Sequence, residues 1–246
     1  MLFRSILPGL ADAAWEVTRH TGDSAEHYRR FADGFTLYVI SRQRGLPADY
    51  TTREMAADYG RAIREEIGPV IVLGISLGGC IAQHLAADFP ELVERLVIAC
   101  AGYRVSEEGR KIPERWLALA REKRWREFYF DIAKVTLREF HHTFYQFLLP
   151  MLRRETPDPA DFLVSLEACI GHNGTAALPR IHTPTLVIGG SKDVFFPPAM
   201  LQETARLIPR ATLCEIDGGR HGMYELQKET FENAVLDFLH NGTGVA

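Results

Sequence analysis

Residues 70–79 read Val-Ile-Val-Leu-Gly-Ile-Ser-Leu-Gly-Gly, a proline-free apolar run that passes through Gly74-Ile75-Ser76-Leu77-Gly78. Its length and β-branched content predict a buried strand. Ile81, Leu85 and Phe89 follow at helical spacing, and Pro90 ends that pattern. A serine thus sits at the tip of a sharp strand-to-helix turn. Such a turn strains the backbone and crowds the residues two before and two after the serine, so both need to lack side chains. Gly74 and Gly78 meet that need.

Outward from this turn, short β-rich runs recur at 36–41, 96–100 and 185–188, and at 212–216 after the Pro209-Arg210 break. Between them Met55, Tyr59, Ile63 and Ile67 repeat every fourth residue, with Thr51 and Glu54 spaced as a capping box. Phe231, Val235 and Phe238 mark a last helix before Asn241-Gly242. Strands alternating with helices predict an α/β fold, a mostly parallel sheet flanked by helices. Strand signals vanish after Tyr103. Residues 103–175 are helical in composition and dense in aromatics, which predicts a helical cap insertion between core segments 1–102 and 176–246.

The bulk composition narrows the function classes. The 246 residues are 46% hydrophobic and 24% charged, enough for one large core. The net charge of -4 offers no basic field for nucleic acid or an anionic membrane, so a small-molecule substrate is the expected partner. The four cysteines Cys80, Cys100, Cys169 and Cys214 lie far apart with no C-x-x-C pair, and read as reduced, mostly buried thiols. Neither a metal nor a cofactor is expected. No apolar run approaches membrane-spanning length, Pro8-Gly9 interrupts the N-terminal stretch too early for a signal core, and the cytoplasm is the default address.

A serine hydroxyl is a weak nucleophile until a base takes its proton, and the base needs an acid to orient it. Ligands gather beyond the carboxyl ends of parallel strands, so the partners should follow late strands. After 185–188 comes Gly-Gly-Ser-Lys-Asp193, and after 212–216 comes Asp-Gly-Gly-Arg-His221-Gly. Asp193 and His221 are therefore the expected acid and base for Ser76. Asp217 is the rival acid, but it shares a turn with His221 and reads as a turn residue. The Leu77 amide, at a helix N-terminus, is an expected oxyanion donor.

Through these three ordered motifs the chain resembles the α/β-hydrolase superfamily over essentially its whole length. The resemblance implies a serine hydrolase that cleaves a carboxylic ester through an acyl-enzyme. Lactone or carbon–carbon hydrolysis, cofactor-free perhydrolysis and acyl transfer would use the same triad, and a ligand-sensing module without turnover is the alternative from another class. Serine at this position disfavours the haloalkane dehalogenases and epoxide hydrolases of this fold, whose turn carries aspartate.

The family usually has His-Gly after its third strand, followed by a second oxyanion donor. Here the counterpart is Leu7-Pro8-Gly9-Leu10, which implies the Leu10 amide, with proline in the usual histidine position. The resemblance implies that the first two strands of the usual fold are missing, leaving a mostly parallel sheet of about six strands with 36–41 as an edge for Arg42, Gln43 and Arg44 to blunt or for a second copy to pair with as a homodimer. Tyr103, Phe140, Phe144 and Phe147 are the expected lining of an apolar acyl pocket under the cap.

Overall fold

The apolar runs pair into one all-parallel sheet. The computed structural model describes residues 3–13, 26–32, 35–136 and 159–241. The described strands are β1 (Phe3–Leu7), β2 (Thr36–Val39), β3 (Val70–Ile75), β4 (Val93–Ala99), β5 (Thr185–Gly190) and β6 (Ala211–Ile216), in the order β2-β1-β3-β4-β5-β6. β2 is an edge, as expected. Arg42, by contrast, does not blunt it from solvent. That side chain is buried and turned inward, whereas Gln43 and Arg44 are exposed.

Successive residues of a strand face opposite sides, and β3, buried at every residue, is accordingly apolar throughout. Along β3, Val70 and Val72 pack on one face with Met55, Tyr59 and Ile63 of α1 (Thr52–Glu66) and Ile81 and Leu85 of α2 (Leu77–Asp88). Ile71, Leu73 and Ile75 pack on the other with Phe231, Val235 and Phe238 of a helix over Lys228–Asn241. The capping box at α1 forms as expected, with Thr51 accepting from the Glu54 amide and Glu54 accepting from the Thr51 amide.

The chain runs from β1 outward to β2, then returns past β1 to build β3 through β6 in the other direction. This reversal opens a crevice at the carboxyl ends of β1 and β3, the usual ligand position in a doubly wound sheet. Pro8-Gly9 follows β1, and Ser76 follows β3. The topology itself therefore brings the two loops together.

Within 103–175 the structure describes α3 (Glu107–Arg121), α4 (Trp125–Thr136) and α5 (Ala160–Gly171). Their aromatics pack mainly on one another. Phe128 meets Trp125 at 5.8 Å and Phe162 at 5.1 Å between ring centroids. Phe140, Phe144 and Phe147 lie outside the described residues.

Where α5 ends, His172 is buried against the core helices. Its Nδ1 lies 2.9 Å from Thr52 Oγ1, and its Nε2 lies 3.2 Å from Gln83 Oε1. The Gln83 amide nitrogen donates to the Gly102 carbonyl, which leaves Oε1 to accept from His172 Nε2–H and Nδ1 to accept from Thr52. Burial, then the neighbouring His84, holds the His172 pKa down to about 3 against an ordinary 6.5. A histidine more acidic in the folded state leaves stability intact above its unfolded pKa and removes it as protons bind the unfolded chain. Urea melts should therefore lose up to about 1.4 kcal/mol per pH unit between pH 6.5 and about 3 through this group. His172→Gln, measured beside the parent, should flatten that slope by about one proton. An unchanged slope would contradict a neutral, buried His172.

Candidate active site

Ser76 occupies the turn with φ 54° and ψ -119°, a left-handed conformation that a side chain rarely adopts. The strain is held by close packing on every side. A Cβ at Gly74 would lie 2.4 Å from the Gly78 carbonyl oxygen, and one at Gly78 would lie 2.0 Å from that of Leu7. A serine that precedes a helix ordinarily caps it with its own oxygen. Ser76 makes no such cap, and its hydroxyl turns to His221 instead.

Ser76 Oγ stands 2.9 Å from His221 Nε2, and His221 Nδ1 stands 2.8 Å from Asp193 Oδ2. The three residues expected from the sequence are thus brought into one hydrogen-bonded chain. The Asp193 side chain is fully buried, while that of His221 keeps 12% exposure. An ionised carboxylate so placed needs donors besides the imidazole. The amides of Phe195 and Phe196 supply them to Oδ1 at 2.8 and 3.3 Å. Asp217 instead accepts from the Ser191 hydroxyl at 3.3 Å, in an exposed turn.

Phe195 and Phe196 were not singled out in the sequence. Their ring centroids lie 4.7 and 6.0 Å from that of His221, and Phe195 also meets Trp116 of α3 at 5.6 Å. The two rings shield the imidazole and tie it to the insertion. The readable signal was the aspartate itself, since Asp side chains often accept amides two and three residues on.

Leu77 opens α2, so its amide lies among those that lack a partner within the helix. Gly9 lies against Ser76. A Cβ built on it would be 3.4 Å from Ser76 Cβ and 3.9 Å from Oγ. The loop after β1 therefore passes beside the Ser76 turn at Gly9. Tyr103 is half-buried just past β4, with its amide donating to Thr204 Oγ1 at 3.0 Å and its ring beside Arg104.

Cys80 and Cys100 are buried, Cys169 and Cys214 are partly buried, and all four are free thiols. Cys100, Asp193 and His221 each offer a ligand atom within 4.8 Å of the others, a spacing that could hold a cation. Burial, followed by the nearby Asp193, pushes the Cys100 thiol well above its ordinary pKa, which opposes the thiolate that a metal ligand requires. No helix among the described residues is long and apolar enough to cross a membrane.

Comparison with known proteins agrees with this architecture. A pimeloyl-acyl-carrier-protein methyl ester esterase of Xanthomonas oryzae pv. oryzae is 27% identical over 243 residues, spanning 89% of this chain and 90% of that one. A polyketide synthase of Burkholderia thailandensis is 40% identical over 82 residues, which are 33% of this chain and 4% of that protein. The crystal structure of the enol-lactonase from Burkholderia xenovorans superposes with a TM-score of 0.80 at 18% identity, covering 98% of this chain and 92% of that one. At that identity the likeness speaks for the fold alone. The profile of the alpha/beta hydrolase family matches residues 6–233, nearly the whole of the described sheet and the turn that carries Ser76, and the chain belongs to that family.

Proposed function

We propose that the protein is a serine hydrolase that cleaves a carboxylic ester of a small to medium apolar or aromatic substrate. The observation that carries the reading is the continuous chain from Ser76 Oγ through His221 to a buried Asp193, at 2.9 and 2.8 Å. The similar methyl ester esterase supports the ester as substrate class. The aromatic composition of residues 103–175 supports an apolar pocket beneath a cap.

Ser76 Oγ attacks the ester carbonyl carbon as its proton passes to His221 Nε2. Asp193 holds the imidazole with Nδ1–H toward itself, so Nε2 carries the lone pair that takes that proton. The carbonyl oxygen becomes an oxyanion, received by the Leu77 and Leu10 amides. The tetrahedral intermediate collapses, the alcohol leaves with the proton from His221, and an acyl group remains on Ser76. Water then repeats the sequence, with His221 as base, and releases the acid. Preorganised amides suit this step because they need no reorientation as charge develops.

Ser76→Ala should lower kcat by about 10⁴-fold or more in a protein that melts as the parent does, and His221→Ala should be comparable. Asp193→Asn preserves acceptance from Phe195 and Phe196 but turns an NH2 toward His221 Nδ1, which selects the wrong tautomer. It should lower kcat by roughly 10³-fold or more, while Asp217→Asn stays within about twofold. Full activity in Asp193→Asn with loss in Asp217→Asn would reverse the assignment of the acid.

In a panel of p-nitrophenyl esters of rising chain length, run beside lactones, kcat/KM should favour short to medium apolar or aromatic acyl groups over long or charged ones by roughly tenfold or more. Preference for long acyl chains, or for lactones alone, would contradict the proposed substrate class.

A further inference from the structure

Arg42 lies just past the edge strand β2 and is 4% exposed, with its partner Asp12 3% exposed. Arg42 Nη1 donates to the Pro8 carbonyl at 3.2 Å, and Nη2 lies 3.1 Å from the Gly9 carbonyl and 3.3 Å from the Leu10 carbonyl. One guanidinium therefore gathers three consecutive carbonyls of the loop beside Ser76. Asp12 holds the same arginine. It accepts from the Arg42 amide at 2.9 Å and the Ser41 hydroxyl at 2.8 Å, and its carboxylate stands 3.7 Å from Arg42 Nη2.

The geometry has a direct consequence for the oxyanion donor. In a trans peptide C=O and N–H point in opposite directions. Holding the Gly9 carbonyl on Arg42 therefore turns the N–H of the same peptide, that of Leu10, away from Arg42. Gly9 itself lies beside Ser76, since a Cβ on it would stand 3.4 Å from the Ile75 carbonyl oxygen and from Ser76 Cβ. Charge-assisted bonding to the carbonyl also polarises the peptide and makes its N–H a stronger donor.

We propose that Arg42 is a positioning residue that orients and polarises the Gly9–Leu10 peptide as an oxyanion donor, an inference that rests on the reading of Ser76 as nucleophile. The planar fork of arginine suits this role, since its donors lie at fixed angles and reach several acceptors at once. Lysine keeps the charge but not the fork. The same segment also connects to the insertion, because Asp161 at the start of α5 accepts from the amides of Gly45 and Leu46 at 3.0 and 2.7 Å. The insertion and the donor loop thus share one short anchor.

The test compares Arg42→Lys with the parent in ester turnover and in affinity for a trifluoromethyl ketone, to which a serine adds to form an oxyanion. A fluorophosphonate labelling arm at Ser76 of the parent checks the reading on which the proposal rests. The expected result is a fall in kcat of about tenfold to a hundredfold, the same factor in ketone affinity, and KM within about twofold. If Arg42→Lys does not fold, Asp12→Asn combined with Arg42→Gln removes both buried charges together and is measured in the same way. A folded variant with parental kcat and ketone affinity, or a change confined to KM, would overturn the role of Arg42 while leaving Ser76 in place. A parent that neither turns over esters nor labels at Ser76 would overturn both.

Discussion

The close approach of three backbones around Ser76 is the constraint on which the rest of the site depends. The end of β3, the start of α2 and the end of β1 meet so tightly that Gly78 leaves no space for a methyl group beside the Leu7 carbonyl. This crowding holds Ser76 at a positive φ, a conformation that costs about 1–3 kcal/mol. Ile75 and Leu77 on either side are buried at 3% and 0% exposure. Burying side chains of that size stabilises by about 1.5–3 kcal/mol each, enough to offset the strain. The half-buried serine is thereby held in place by the core that surrounds it.

Around this turn, buried polar groups fix direction where apolar packing alone would not. Asp193 is held by two amides and a histidine, and Asp12 by Arg42 and Ser41. A buried ion pair is weak evidence for stability, since desolvation consumes much of its attraction, yet losing one partner costs about 3–5 kcal/mol. Both clusters act on loops at the carboxyl ends of strands and set where a side chain or a peptide points. In this chain the sheet supplies the platform and these contacts supply the aim.

The inner strands β3 and β5 are legible in the sequence because they are buried on both faces and read as near-continuous apolar runs. The α1 start is legible through Thr51 and Glu54, and the Ser76 turn through Gly74 and Gly78. Asp193 and His221 followed from their order after late strands. The sequence alone points Arg42 to the surface near an edge, because polar residues after an edge strand usually face water. Its burial depends on Asp12, thirty residues earlier, and on the carbonyls of Pro8, Gly9 and Leu10, and no local pattern encodes that pairing. Phe195 and Phe196 carry no sequence signal for a similar reason, since their amides serve Asp193 while their rings look like ordinary core.

The central claim is that ester cleavage passes through a covalent acyl group on Ser76. The most direct measurement mixes the protein with excess p-nitrophenyl acetate in a stopped-flow instrument, then quenches and maps the acylated peptide by mass spectrometry. The account predicts an initial burst of nitrophenol close to one equivalent, with an acetyl group on the peptide that contains Ser76. Steady turnover with no burst and no acyl group on Ser76, or an acyl group only at another residue, would contradict it.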